Sequence, residues 1–197
     1  MSAHGFWRAT MHALLFTGLT TAGYLGMTWA ESSLDRQSRA QEWLTPVHES
    51  ESPELGRTLG RLEIPRLRLA SLVVQGDDDR SLLVGVGHLP DTVLPWQDGN
   101  SVLAGHRDTD FRPLKDIRAG DVIRFQTATV TYDYVVRETS IVKPTDLTPL
   151  RATPGPTLTL ITCYPFTYIG AAPSRFIVHA ERTNVRPTFG PSHAKTS

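Results

Sequence analysis

One cysteine, Cys163, stands in a chain of 197 residues. It closes the run Thr157-Leu158-Thr159-Leu160-Ile161-Thr162, and Pro165 follows close behind it. A thiol at the end of an apolar strand lies where rigid backbone gives way to a loop, the usual setting for reactive side chains. A second strand end has the same form, with Val102-Leu103-Ala104 leading through Gly105 to His106. Gly105 gives the backbone freedom to turn, so His106 emerges at the edge of the core. Arg175, twelve residues beyond the cysteine, opens the next apolar run. Together these side chains supply a nucleophile, a proton carrier and a fixed positive charge. The thiolate is the reactive form of cysteine, and a nearby imidazolium or guanidinium raises its fraction. The charge of Arg175 also suits the oxyanion that forms when a thiolate attacks an amide carbonyl. Singly the residues say little. A free cysteine is commonly a small buried hydrophobe, and His106 is one of seven histidines. Their combination at strand ends carries the reading.

The elements that must position them are short. From Leu59 onward, apolar runs are separated by Gly, Pro, Asp and Asn, the pattern of many strands joined by turns. Strands are predicted at 60–64, 69–75, 100–104, 122–127, 129–137, 139–142, 158–162 and 175–182. Short helical or turn pieces are predicted at 79–84, 111–117 and 145–150. The fold class is therefore mainly β, and eight short strands suggest a closed barrel or a sandwich. Arg118-Ala119-Gly120-Asp121 reads as a turn into a strand, with Gly120 free to take the unusual backbone angles. Pro165 bars further ladder hydrogen bonding after the cysteine.

Twenty acidic residues balance twenty basic ones, and no basic stripe is present, which excludes a nucleic-acid partner. Between Ala9 and Ala30 there is no Asp, Glu, Lys or Arg, long enough for a transmembrane helix, which needs about 20 mostly apolar residues. Arg8 before this run and Glu31 and Asp35 after it favour a cytoplasmic N-terminus and an exported remainder. Cleavage as a signal peptide near Ala30 is the alternative. An exported lone thiol stays unpaired in an oxidising compartment, which itself asks for a chemical role. The predicted organisation is a membrane segment at 1–30, a polar stalk at 31–58, a catalytic domain at 59–182 and a flexible tail at 183–197. This describes a single-pass protein of the cell membrane with an extracytoplasmic domain.

Thr159-Leu160-Ile161-Thr162-Cys163 and Ala104-Gly105-His106-Arg107 resemble the cysteine and histidine motifs of the sortases. Arg175 in Pro173-Ser174-Arg175-Phe176-Ile177-Val178 falls where the family's arginine falls. Gly85-Val86-Gly87-His88-Leu89-Pro90-Asp91-Thr92, with Asp98-Gly99-Asn100, resembles the segment before the family's histidine, and Cys163-Tyr164-Pro165-Phe166 is most similar to class D. The resemblance implies an eight-stranded β-barrel transpeptidase that cuts a Leu-Pro-x-Thr-Gly-like sorting signal after its threonine. It implies Cys163 as nucleophile, His106 as acid and base, Arg175 as holder of substrate and oxyanion, and Thr162 as a contributor through backbone and hydroxyl. No metal or organic cofactor is required. The implied partners are surface proteins with a C-terminal sorting signal and an amine acceptor on the envelope or a pilin. A cysteine hydrolase with little transfer activity and a non-catalytic binding domain are the competing readings.

Other polar residues are weighed against these. His88 also follows a glycine and is expected to line the same cleft or to pack structurally. Asp108 either orients His106 or belongs to a turn. His179 alternates within a strand and reads as structural. Asp77-Asp78-Asp79 lacks the spacing of a calcium loop and reads as a solvated turn.

Overall fold

The computed structural model describes residues 53–167 and 170–188. The predicted membrane segment, nearly all of the stalk and the last residues of the tail lie outside them. No helix among the described residues is long and apolar enough to cross a membrane.

Eight strands close into one barrel: β1 (Thr58–Ile64), β2 (Leu69–Gln75), β3 (Val86–His88), β4 (Asn100–Ala104), β5 (Val122–Gln126), β6 (Val130–Val142), β7 (Thr157–Tyr164) and β8 (Ser174–Pro187). Around the barrel they run β1-β2-β3-β4-β7-β8-β6-β5, with β5 returning to β1. Closure leaves no free edge where the ring is complete, which is how an all-β chain hides its ladder groups. Inward residues of alternating strands, among them Leu62, Val73, Leu103, Phe125, Tyr134 and Leu160, form one buried core. Two pairs are parallel, β2/β3 and β4/β7. The first is reached through the short helix α1 (Asp79–Val84). Asp78 caps that helix, its carboxylate accepting from Arg80 N–H at 2.9 Å and Ser81 N–H at 3.3 Å.

Three expectations change. The predicted strands 129–137 and 139–142 are one strand, β6, with a register shift between Val136 and Glu138 against β8. An extra residue in one strand disrupts alternation locally, which reads in sequence as a strand break. Strand β3, only three residues long, was not predicted. The chain does not leave the barrel at Arg182: β8 continues to Pro187, paired with the start of β6, and Thr188 N–H donates to Thr129 O at 2.9 Å. Those residues are largely exposed, Val185 included, so backbone pairing rather than burial makes them a strand. Gly120, at φ 89°, forms the expected turn. Beside it Asp121 accepts from Arg66 through both carboxylate oxygens, Nε to Oδ1 at 2.5 Å and Nη2 to Oδ2 at 2.6 Å.

Candidate active site

Three neighbouring strands bring the predicted residues to one end of the barrel. In the antiparallel β7/β8 ladder Cys163 lies directly opposite Arg175. Directly opposed residues project to the same face of the sheet. Leu158, Leu160 and Thr162 point into the core, so the alternating Cys163 faces outward, half-buried and free. The strand does not stop at the cysteine, since β7 runs on to Tyr164. Pro165 ends it, in cis linkage with Tyr164.

On the other side of β7, β4 runs parallel to it, and the last rung pairs Ala104 with Ile161. Gly105 N–H donates to Ile161 O at 3.2 Å and Thr162 Oγ1 donates to Gly105 O at 2.7 Å. His106 and Cys163 each sit one residue past this cross-link, on strands that a parallel ladder holds about 4.8 Å apart. The backbone reason for Gly105 differs from the expected one. It is not among the glycines with positive φ; instead, a Cβ there would meet the Phe111 ring at 2.8–3.0 Å. Phe111, fully buried, packs beneath the turn and donates its N–H to His106 O at 3.0 Å. The His106 side chain is exposed and has no hydrogen-bond partner among the described residues. Arg175 Nη1 donates to the carbonyls of Ser174 at 3.2 Å and Ala172 at 3.4 Å, which folds the guanidinium onto its own loop.

Thr162 is 2% exposed, and its hydroxyl is committed to Gly105. His88 departs from the cleft expectation: it is 1% exposed, with Nε2 at 2.9 Å from Val93 O and Nδ1 at 2.8 Å from the Gln75 side-chain amide. It faces Leu103, three residues back along β4 from His106. Burial pushes the pKa of its imidazole below the ordinary value, and the ring serves as an internal tie for the segment after β3. Asp108 is exposed, while Asp110 accepts from Ser71 Oγ at 2.6 Å and secures the turn after His106. His179 is half-buried in β8, its Nδ1 at 3.0 Å from Thr159 Oγ1, and burial lowers its pKa. Asp78 serves its helix cap, and no group of His, Cys, Asp or Glu among the described residues is arranged to hold a metal ion.

Two residues without a sequence assignment also shape the site. Asn100 donates from Nδ2 to Pro149 O at 2.8 Å and to Arg151 O at 3.0 Å, and accepts from Thr159 Oγ1 at 2.7 Å. It thereby pins the crossover between β6 and β7 against the barrel. Arg107 donates from Nη1 to Pro165 O at 3.3 Å and from Nη2 to Gly170 O at 3.1 Å. In sequence both stand only as members of the runs Asp98-Gly99-Asn100 and Ala104-Gly105-His106-Arg107, which gave no sign of these contacts.

Residues 62–183 match the family described as the sortase domain. The chain belongs to the sortase family. Sortase D of Bacillus subtilis is 38% identical over 131 residues, covering 66% of this chain and 66% of that protein. Sortase A of Listeria monocytogenes is 31% identical over 109 residues, covering 53% of this chain and 49% of that protein. The matches thus span about half to two thirds of these curated relatives. Among solved structures, sortase C-3 of Streptococcus pneumoniae aligns with a TM-score of 0.63 at 29% identity, over 73% of this chain and 71% of that one. The eight-stranded barrel is the sortase fold, and the Sortase D relative fits the class D character of the run after the cysteine.

Proposed function

We propose that this sortase is a membrane-tethered cysteine transpeptidase, with its catalytic barrel outside the cytoplasm. The observation that carries the reading is the ladder geometry, with Cys163 opposite Arg175 and the β4 end bearing His106 cross-linked to the β7 end bearing Cys163. The Cys163 thiolate attacks the threonine carbonyl of a Leu-Pro-x-Thr-Gly-like sorting signal. A C–S bond forms, the carbonyl electrons move onto oxygen, and Arg175 stabilises that charge. The tetrahedral species collapses to a thioester as the Thr–Gly amide breaks, and His106 gives its proton to the leaving amine. An amine on the envelope or a pilin then attacks the thioester, His106 takes the amine's proton, and the Cys163 thiolate departs. Thr162 fixes the spacing of the two strand ends. The steps balance without a metal or an organic cofactor.

The test is incubation with a quenched sorting-signal peptide and an amine acceptor, with products read by mass spectrometry. Acyl transfer to the amine, abolished by Cys163→Ala, is the expected result. Activity undiminished by Cys163→Ala would falsify the thioester route, and free acid as the sole product in the presence of amine assigns a hydrolase instead. Intact mass of the membrane-extracted protein checks the anchor, which a mature start near Glu31 would refute.

A further inference from the structure

Beyond the cross-links at Gly105 and Thr162, β4 and β7 part. His106 enters a turn closed by Thr109 and Phe111 N–H groups on its carbonyl, at 3.4 and 3.0 Å. Cys163 is followed by Tyr164, Pro165 and the connection to β8. The Arg107 side chain reaches across this divergence. It is covalently next to His106, and its Nη1 lands on the carbonyl of Pro165, two residues past Cys163, while Nη2 lands on Gly170. A guanidinium presents its donors in a rigid planar fork, so one side chain holding two carbonyls fixes orientation as well as distance. A lysine ammonium is a point charge on a flexible stem and does not reproduce the fork.

We infer that Arg107 is a positioning residue, which sets the placement of His106 against Cys163 by holding the histidine turn to the backbone that follows the cysteine. Both of these acceptors are main-chain carbonyls, so the two contacts act through backbone placement. Misplacement of reacting groups by about 1 Å costs on the order of 100-fold in rate. Loss of a fork that spans the two strand ends therefore belongs in turnover and leaves peptide binding alone. The kinetic part of this inference rests on the transpeptidase reading above; the thiol part does not.

The full chain is compared with its Arg107→Ala and Arg107→Lys variants, and with Arg61→Ala, which removes an arginine of β1 paired with Glu63 at 3.1 Å. Three quantities are measured: steady-state kinetics with a sorting-signal peptide and an amine, the thermal midpoint, and the rate of Cys163 alkylation by iodoacetamide in the folded protein. For Arg107→Ala, kcat is expected to fall roughly 10- to 100-fold with KM held within about twofold. Arg107→Lys is expected to recover only part of the loss, and Arg61→Ala to match the parent within about twofold. The alkylation rate of Arg107→Ala is expected to differ from the parent by at least about threefold, because thiolate reactivity depends on the groups beside it. The inference is overturned if kcat stays within about twofold, if the loss is entirely in KM, if lysine restores full activity, or if the loss merely follows the fraction unfolded at the assay temperature. Should the parent cleave no peptide, the transpeptidase reading fails by itself. Arg107 is then judged on alkylation, and equal parent and variant rates overturn the inference.

Discussion

Gly105→Ala tests most directly how the histidine turn is built. An added Cβ meets Phe111 Cδ2 at 2.8 Å and Cε2 and Cγ at 3.0 Å, against an ordinary carbon–carbon separation of about 3.5–4.0 Å. Relief requires a shift of roughly 0.5–1 Å, by the ring or by the turn. The ring is fully buried in the main core, and its backbone is tied to His106. Overpacking of this kind costs about 1–3 kcal/mol. Because the displaced atoms lie between Ala104 and His106, the variant should lose turnover beyond what its lowered stability explains. Urea unfolding gives the first quantity and peptide cleavage at a temperature where the variant remains folded gives the second. Adding Phe111→Leu opens space below the turn, so the double variant should be less destabilised than the sum of the single ones, with a coupling on the order of 1 kcal/mol. An unchanged urea midpoint for Gly105→Ala, or strict additivity in the double variant, would show that the ring does not define the turn.

Thr162→Val keeps the side-chain shape but strips the buried Gly105 carbonyl of its 2.7 Å donor. It should cost about 1–3 kcal/mol and lower kcat, whereas Thr162→Ser should retain most of both; equal behaviour of the two variants in urea unfolding refutes the hydrogen-bond account. Burial holds the folded His88 pKa below its ordinary 6.5, so the unfolded chain binds the proton more readily. The contribution of His88 to stability is complete above about pH 6.5 and declines as pH falls below it toward the lower folded value. Urea midpoints should therefore show the gap between the parent and His88→Gln largest near pH 7.5 and narrower near pH 5. A gap independent of pH contradicts this, and His179, shifted in the same direction, remains in both proteins.

Several site features were legible in sequence because local chemistry specifies them. Thr157 to Leu160 alternates polar and apolar residues as a strand does, and Pro165 stops the ladder after the cysteine. The Gly120 turn follows from a backbone preference that acts within a few residues, whereas Asp78, read as part of a solvated turn, proved to cap a helix. Features set by partners distant in the chain were not legible. The exposed end of β8 is a strand because β6 supplies its backbone partners, and β3 is too short to show a period. His88, which follows a glycine as His106 does, turns inward because Gln75 and Val93 wait there for its ring nitrogens.

The residue types and their place at strand ends were fixed by the sequence alone, since each depends on neighbours within a few positions. Only the tertiary structure decided which strand ends meet. The order β4-β7-β8 sets His106, Cys163 and Arg175 side by side although they are spread along the chain, and barrel closure fixes that order. The same closure puts Phe111 under Gly105 and brings the Arg107 fork to the carbonyls beyond Cys163. Such contacts arise from packing between residues remote in sequence, and no local pattern encodes them.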